Sequence, residues 1–204
     1  MAELIHAYNL DGTVLKTDER NVLLKEQQEQ ALRWGEPEFS VASIYALVKN
    51  SRDELYVQLR GDKDENPHMY DKSVSGHVLA GQTPEQALIR KAKHELGVDV
   101  ILASEDYLEV LAKTDTTKTA VVRLLGYIPN FRSMRQRRDG GEWIKLFDAT
   151  VYGGVYDGPV AFSDGEVEGM QLIPLAIIKD VMAANPGRFT HDLSYLIDRY
   201  GANL

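Results

Sequence analysis

Lys91, His94 and Glu95 stand at i, i+3 and i+4 in the segment IRKAKHELG, with Arg90 beside them. On a helix, residues three and four apart are neighbours, so these three side chains would share one outward face. Their chemistry is mixed. A glutamate oxygen suits a hard divalent ion. An imidazole prefers softer transition metals. An ammonium one turn from Glu95 can form a helix ion pair worth ~0.2–0.5 kcal/mol, and that pair occupies the carboxylate a metal needs. Alternatively, Lys91 can bind a phosphate directly as fixed positive charge.

The segment has the marks of a helix. Thr83 can cap it, Pro84 suits its first position and Gln86 can complete a capping box. Leu88, Ala92 and Leu96 form an inward stripe, and Gly97 ends it. Ser75–Val78 reads as a strand end and Ala80–Gln82 as a loop, so the unit is strand, loop, helix.

Elements on either side must hold this unit. LIHAYNLDGTVLKT reads as a hairpin turning at Asp11-Gly12. Asp18 can cap a helix to about Trp34, which Gly35 ends. SVASIYALVKN reads as a buried strand. In ELYVQLR, Leu55, Val57 and Leu59 share one face while Tyr56, Gln58 and Arg60 share the other. YLEVLAKTD and KTAVVRLLGYI read as strands, and WIKLFDATVYGGVYDG as another strand or pair. A helix is expected from about Pro174 to Ala184, and a last one from about Thr190 to Tyr200. Strands with helices inserted, lacking regular βαβ alternation, indicate an α+β fold with a mixed sheet. No linker stands out, so residues 1–204 read as one domain. The hairpin and helix (about 1–36) and the C-terminal helices (about 174–200) read as extensions.

Composition narrows the function classes. A formal net charge of −8 argues against general nucleic-acid binding. No apolar run reaches membrane-spanning length, and the N-terminus has no basic segment followed by an apolar one. With no cysteine there is neither disulfide nor thiol nucleophile, and a cytoplasmic setting is expected. A homodimer is compatible with the sequence. FRSMRQRRDGG places four arginines within Arg132–Arg138; it reads as a solvated loop, with a hold on an anionic substrate tail or a nucleic-acid backbone as the alternative.

The strand–loop–helix unit resembles the Nudix box. Gly76, Arg90, Ala92, Glu95, Gly97 and Val98 match that pattern, whereas Gln82, Lys91 and His94 stand where the family has glutamate. The resemblance implies a Nudix-type α/β/α sandwich and a pocket for a nucleotide or other small-molecule diphosphate. It also implies Mg²⁺ or Mn²⁺ if the chain is active, and no cofactor if it is not. Glu95 would hold the metal, with His77, His94 or later glutamates helping, and Arg90 would orient the Glu95 carboxylate. The departures are similar to the box of isopentenyl-diphosphate isomerases, as is the upstream VQLRGDKDENPHMYDKSVSGHV. By that resemblance Arg60 and Lys63 grip the diphosphate, and His77 joins Glu95 as a metal ligand. His77 stands evenly between that role and a hydrogen-bonded strand-end residue. Glu166 and Glu168 could add late carboxylates, as in some family members, although an acidic edge strand is the preferred reading.

Isomerase activity itself is not expected. Ser75 replaces the cysteine of that subgroup, no histidine lies between His6 and His68, and Asp115 is the sole carboxylate in DTTKTAVV. Three readings stay open: a Nudix-type diphosphate hydrolase with weak or altered metal use, a phosphate- or nucleotide-binding module that has lost the metal, and a scaffold.

Overall fold

The computed structural model describes residues 2–162 and 167–204. At its centre is β3 (Ser40–Lys49), whose side chains alternate between two apolar layers. Val41, Tyr45 and Leu47 enter one core cluster, and Ile44, Ala46 and Val48 enter the other. A strand apolar on both faces is stable only when both are covered. Helix α2 (Pro84–Glu95) covers one side, through Ala87, Leu88 and Ala92. Helices α1 (Arg20–Trp34), α4 (Ile178–Ala184) and α5 (His191–Tyr200) cover the other, through Leu23, Ile178, Leu193, Leu196 and Ile197.

The sheet is mixed. Its main path runs β10 (Val167–Pro174), β4 (Glu54–Arg60), β3, β9 (Glu142–Val155), β8 (Thr119–Gln136), β7 (Asp99–Leu102). The β3–β9 and β7–β8 pairs are parallel. Off this path, β1 (Leu4–Tyr8) pairs with β2 (Val14–Glu19) and β3, β5 (Tyr70–Asp71) with β4, and β6 (Val74–His77) with β3. The expected α+β class and mixed sheet are what is observed. No described helix is long and apolar enough to cross a membrane.

Four local expectations need correction. Tyr107–Lys113 is helix α3, not a strand; Leu108 is 77% exposed, so its apolar residues do not form a buried strand face, and Glu109 pairs with Lys113 one turn on. Glu19, not Asp18, is the N-cap of α1, because the Asp18 carboxylate accepts from the Glu19 amide instead. Pro174 closes β10 opposite Glu54, so α4 begins only at Ile178. The arginine-rich segment is largely strand: β8 continues through Gln136, with Phe131, Ser133 and Arg135 buried on one face. Arg132, Arg135, Arg137 and Arg138 pair with Glu36, Asp192, Asp139 and Asp62 respectively.

Candidate functional site

The capping box forms as expected: Thr83 Oγ1 accepts from the Gln86 amide and Gln86 Oε1 accepts from the Thr83 amide. Gly97 follows the helix with φ +75°, a backbone that costs glycine little. Burial of Leu88 and Ala92 fixes the rotation of α2, and this corrects the expected outward face. Lys91 and Glu95 turn toward the sheet, while His94 is exposed. Glu95 is 4% exposed. Its Oε1 lies 2.6 Å from Lys91 Nζ; its Oε2 accepts from Gln58 Nε2 at 3.0 Å and from the Ser75 amide at 2.9 Å. Burial pushes the Glu95 carboxyl up, against the pull of Lys91. The Lys91 stem crosses Gly76 so closely that an added Cβ would meet its Cγ at 2.6 Å.

These residues line a pocket of about 480 Å³ between α1, α2, β3, β4 and β9. Among the described residues, nine lysine and arginine side chains face five carboxylates there, although the whole chain carries 23 basic and 31 acidic residues. The pocket therefore has the opposite sign to the protein, which favours anionic ligands.

Arg60 and Lys63 line the same pocket, as do Arg90 and His77. The Arg60 guanidinium is partly engaged, donating to Asp71 Oδ2 and to the Asn66 and Glu65 carbonyls. Arg90 donates to the His77 carbonyl at 2.9 Å, tying α2 to the end of β6. His77 Nδ1 accepts from Arg20 Nε at 3.1 Å. Burial, then Arg20, Lys145, Arg135 and Lys91, hold this imidazole well below its usual range. It is neutral, with its proton on Nε2. Neither His94 nor Glu168 is brought into the pocket: Glu168 Oε2 lies 3.1 Å from His68 Nδ1. Glu166 lies outside the described residues.

Residues the sequence did not single out form the inner wall, through Asp71, Lys72, Arg135 and Lys145, and back it from behind, through Asp192, Ser133 and Thr190. Asp192, fully buried, accepts from Lys72 Nζ at 3.1 Å, Arg135 Nη2 at 3.1 Å and Ser133 Oγ at 2.5 Å. Asp71 accepts from Lys72 Nζ at 2.9 Å and Thr190 Oγ1 at 2.8 Å. Lys145 pairs with Glu65 at 2.7 Å; burial lowers its ammonium to about 8 despite that partner. The available signal was polar residues at inward positions of strands that otherwise alternate, Ser133 and Arg135 after Phe131.

Among the described residues, the donor set does not fit a divalent ion. Both Glu95 oxygens have partners, His77 Nδ1 accepts from an arginine, and cations surround the imidazole. Among the described residues no three His, Asp or Glu side chains group as a metal site.

Comparison with known proteins agrees with the geometry. A Nudix hydrolase of Deinococcus radiodurans is 29% identical over 140 residues, covering 63% of this chain and 80% of that protein. An isopentenyl-diphosphate isomerase of Corynebacterium diphtheriae is 36% identical over only 52 residues, 25% of this chain and 28% of the enzyme. A crystal structure from Deinococcus radiodurans superposes with a TM-score of 0.66 at 23% identity, over 97% of this chain and 98% of that one, and so shares the fold. Residues 40–193 match the NUDIX domain; with a polarised pocket built around the Gly76–Val98 unit, the chain belongs to the Nudix family and is a Nudix hydrolase-like protein.

Proposed function

We propose that this pocket binds the diphosphate of a nucleotide or small organic diphosphate on fixed positive charge, chiefly Lys91 with Arg60 and Lys63, and that hydrolysis in this chain is weak or altered in metal use. The observation that carries the reading is the 2.6 Å Lys91–Glu95 pair inside a cation-rich pocket. An ammonium here takes the place a divalent ion would need, and charge-assisted N–H···O bonds bind phosphate without metal. The family acts on small-molecule diphosphates and generally uses divalent metals. That supports the ligand class and keeps a second reading open, in which Glu95, oriented by Arg90, serves a metal-dependent hydrolysis.

One experiment separates them. The melting temperature and phosphate release are followed with ADP and other nucleoside diphosphate compounds, with and without Mg²⁺ or Mn²⁺. The first reading expects stabilisation by ADP without metal, lost in Lys91→Glu. Release that requires metal and disappears in Glu95→Gln, without metal-free stabilisation, would favour the second.

A further inference from the structure

Beyond Lys91, a second group of polar side chains converges on the Phe147 ring. The His77 ring lies 5.9 Å from it, the Tyr45 ring 6.2 Å and the Arg135 guanidinium 5.4 Å. Ser43 is directly opposite His77 in the β3–β6 ladder. Lys145 is two residues before Phe147 on β9 and opposite Ser133 on β8, so it shares the face of Ser133 and Arg135. Ser43, Tyr45, His77, Arg135 and Lys145 all line the pocket, with Arg20 beside them.

This group is rich in donors and short of acceptors. His77 Nε2 and Arg135 Nε are buried N–H donors without a partner among the described residues, while the buried Ser43 and Tyr45 hydroxyls interact with one another. Ser43, Tyr45 and Arg135 are each more than nine-tenths buried. Buried donors without acceptors are costly, so a cluster of them at a cavity needs an account. The charge points the same way. Arg60, Lys72 and Arg135 share two carboxylates, Asp71 and Asp192. Lys145 feels the repulsion of Arg135 and Arg20 as well as the attraction of Glu65. An oxyanion supplies both the acceptors and the charge, and a dianion balances the surrounding cations better than a carboxylate.

We propose that Ser43, Tyr45, His77, Arg135 and Lys145, with Arg20, form a second anion subsite that takes a phosphate monoester carried by the same ligand whose diphosphate binds at Lys91. This rests on the proposed function and deepens it: the ligand is a diphosphate bearing a further phosphate. Ordinary diphosphates then occupy only part of the pocket.

The test compares ADP with its 2′- and 3′-phosphorylated derivatives by isothermal titration, and adds inorganic phosphate to protein saturated with ADP while following the melting temperature. At least one derivative is expected to bind tenfold or more tightly than ADP. Inorganic phosphate is expected to raise the melting temperature further. Both effects should collapse in Lys145→Gln and, as an independent check on a less buried position, in Arg20→Gln, each verified as folded by circular dichroism. No preference for either derivative and no phosphate increment in the wild type overturns the subsite while leaving the diphosphate reading intact. If ADP and its derivatives all fail to bind, the diphosphate reading falls; stabilisation of the ligand-free protein by inorganic phosphate, lost in Lys145→Gln, then still supports the subsite, and its absence overturns it too.

Discussion

Lys91 Nζ reaches Glu95 Oε1 at 2.6 Å across one turn of α2, with the two side chains only 13% and 5% exposed. On a solvated helix the same pair contributes a few tenths of a kcal/mol. Buried, it is a different object, because removing one partner leaves the other desolvated.

Lys91→Glu places two carboxylates in that space. Without metal the variant should lose about 3–5 kcal/mol by analogy with broken buried pairs, read from urea denaturation. Millimolar Mg²⁺ or Mn²⁺ should restore part of it by binding the folded state. Adding His94→Glu should bring nothing more, because His94 is exposed and outside the pocket. A clear further gain in metal affinity from the second substitution would show that α2 turns differently from the arrangement described.

Glu95 sets a pH dependence whose sign is fixed by its raised carboxyl. Between the ordinary carboxylate range and its folded value, the native state holds a proton that the unfolded chain has released. Stability from this group is therefore full at low pH and falls as pH rises through that window. Glu95→Gln removes the dependence. The difference in unfolding free energy between wild type and Glu95→Gln, measured from about pH 4 to pH 7, should move in favour of glutamine as pH rises. Movement the other way would place the carboxylate in a charge-stabilising environment instead.

The parts of this site that a sequence exposes are those governed by local rules. The cap of α2, its glycine stop and the Lys91–Glu95 spacing depend on residues within a few positions of one another, and all three are observed. Which way that helix faces depends on what its apolar stripe packs against, and the stripe meets β3, some forty residues earlier. Arg135, Lys145 and Asp192 come from three elements that meet only through long-range pairing. The Tyr107–Lys113 segment shows the converse: its apolar residues suit a strand locally, yet it is helix α3 and joins no strand of the sheet.

Gly76 tests whether Lys91 needs its position. A methyl group there would lie 2.6–2.8 Å from Lys91 Cγ, Cδ and Cε. Gly76→Ala should displace the lysine stem at a cost of about 1–3 kcal/mol, the range for overpacking. It should also reduce the metal-free stabilisation by ADP nearly as much as Lys91→Met does. Gly169→Ala, where nothing lies within 4 Å, is the matched control. Unchanged ADP stabilisation in Gly76→Ala would remove Lys91 from the binding account.

Asp192 separates the structural from the ligand-binding use of the inner wall. Its neighbours hold its carboxyl well below the usual range despite burial. The stability it provides is thus present above the ordinary carboxylate range and lost as pH falls toward the folded value. Asp192→Asn leaves Lys72 and Arg135 with one carboxylate fewer and should cost about 3–5 kcal/mol at neutral pH, with a smaller deficit in acid. Replacing the cluster together, Asp192→Leu with Lys72→Met and Arg135→Met, should recover much of that loss, since apolar replacement of buried charge is often neutral or stabilising. The phosphate increment in melting temperature should be lost in this apolar variant. Were inorganic phosphate to stabilise it as it does the wild type, the charge of the inner wall would be serving the fold alone.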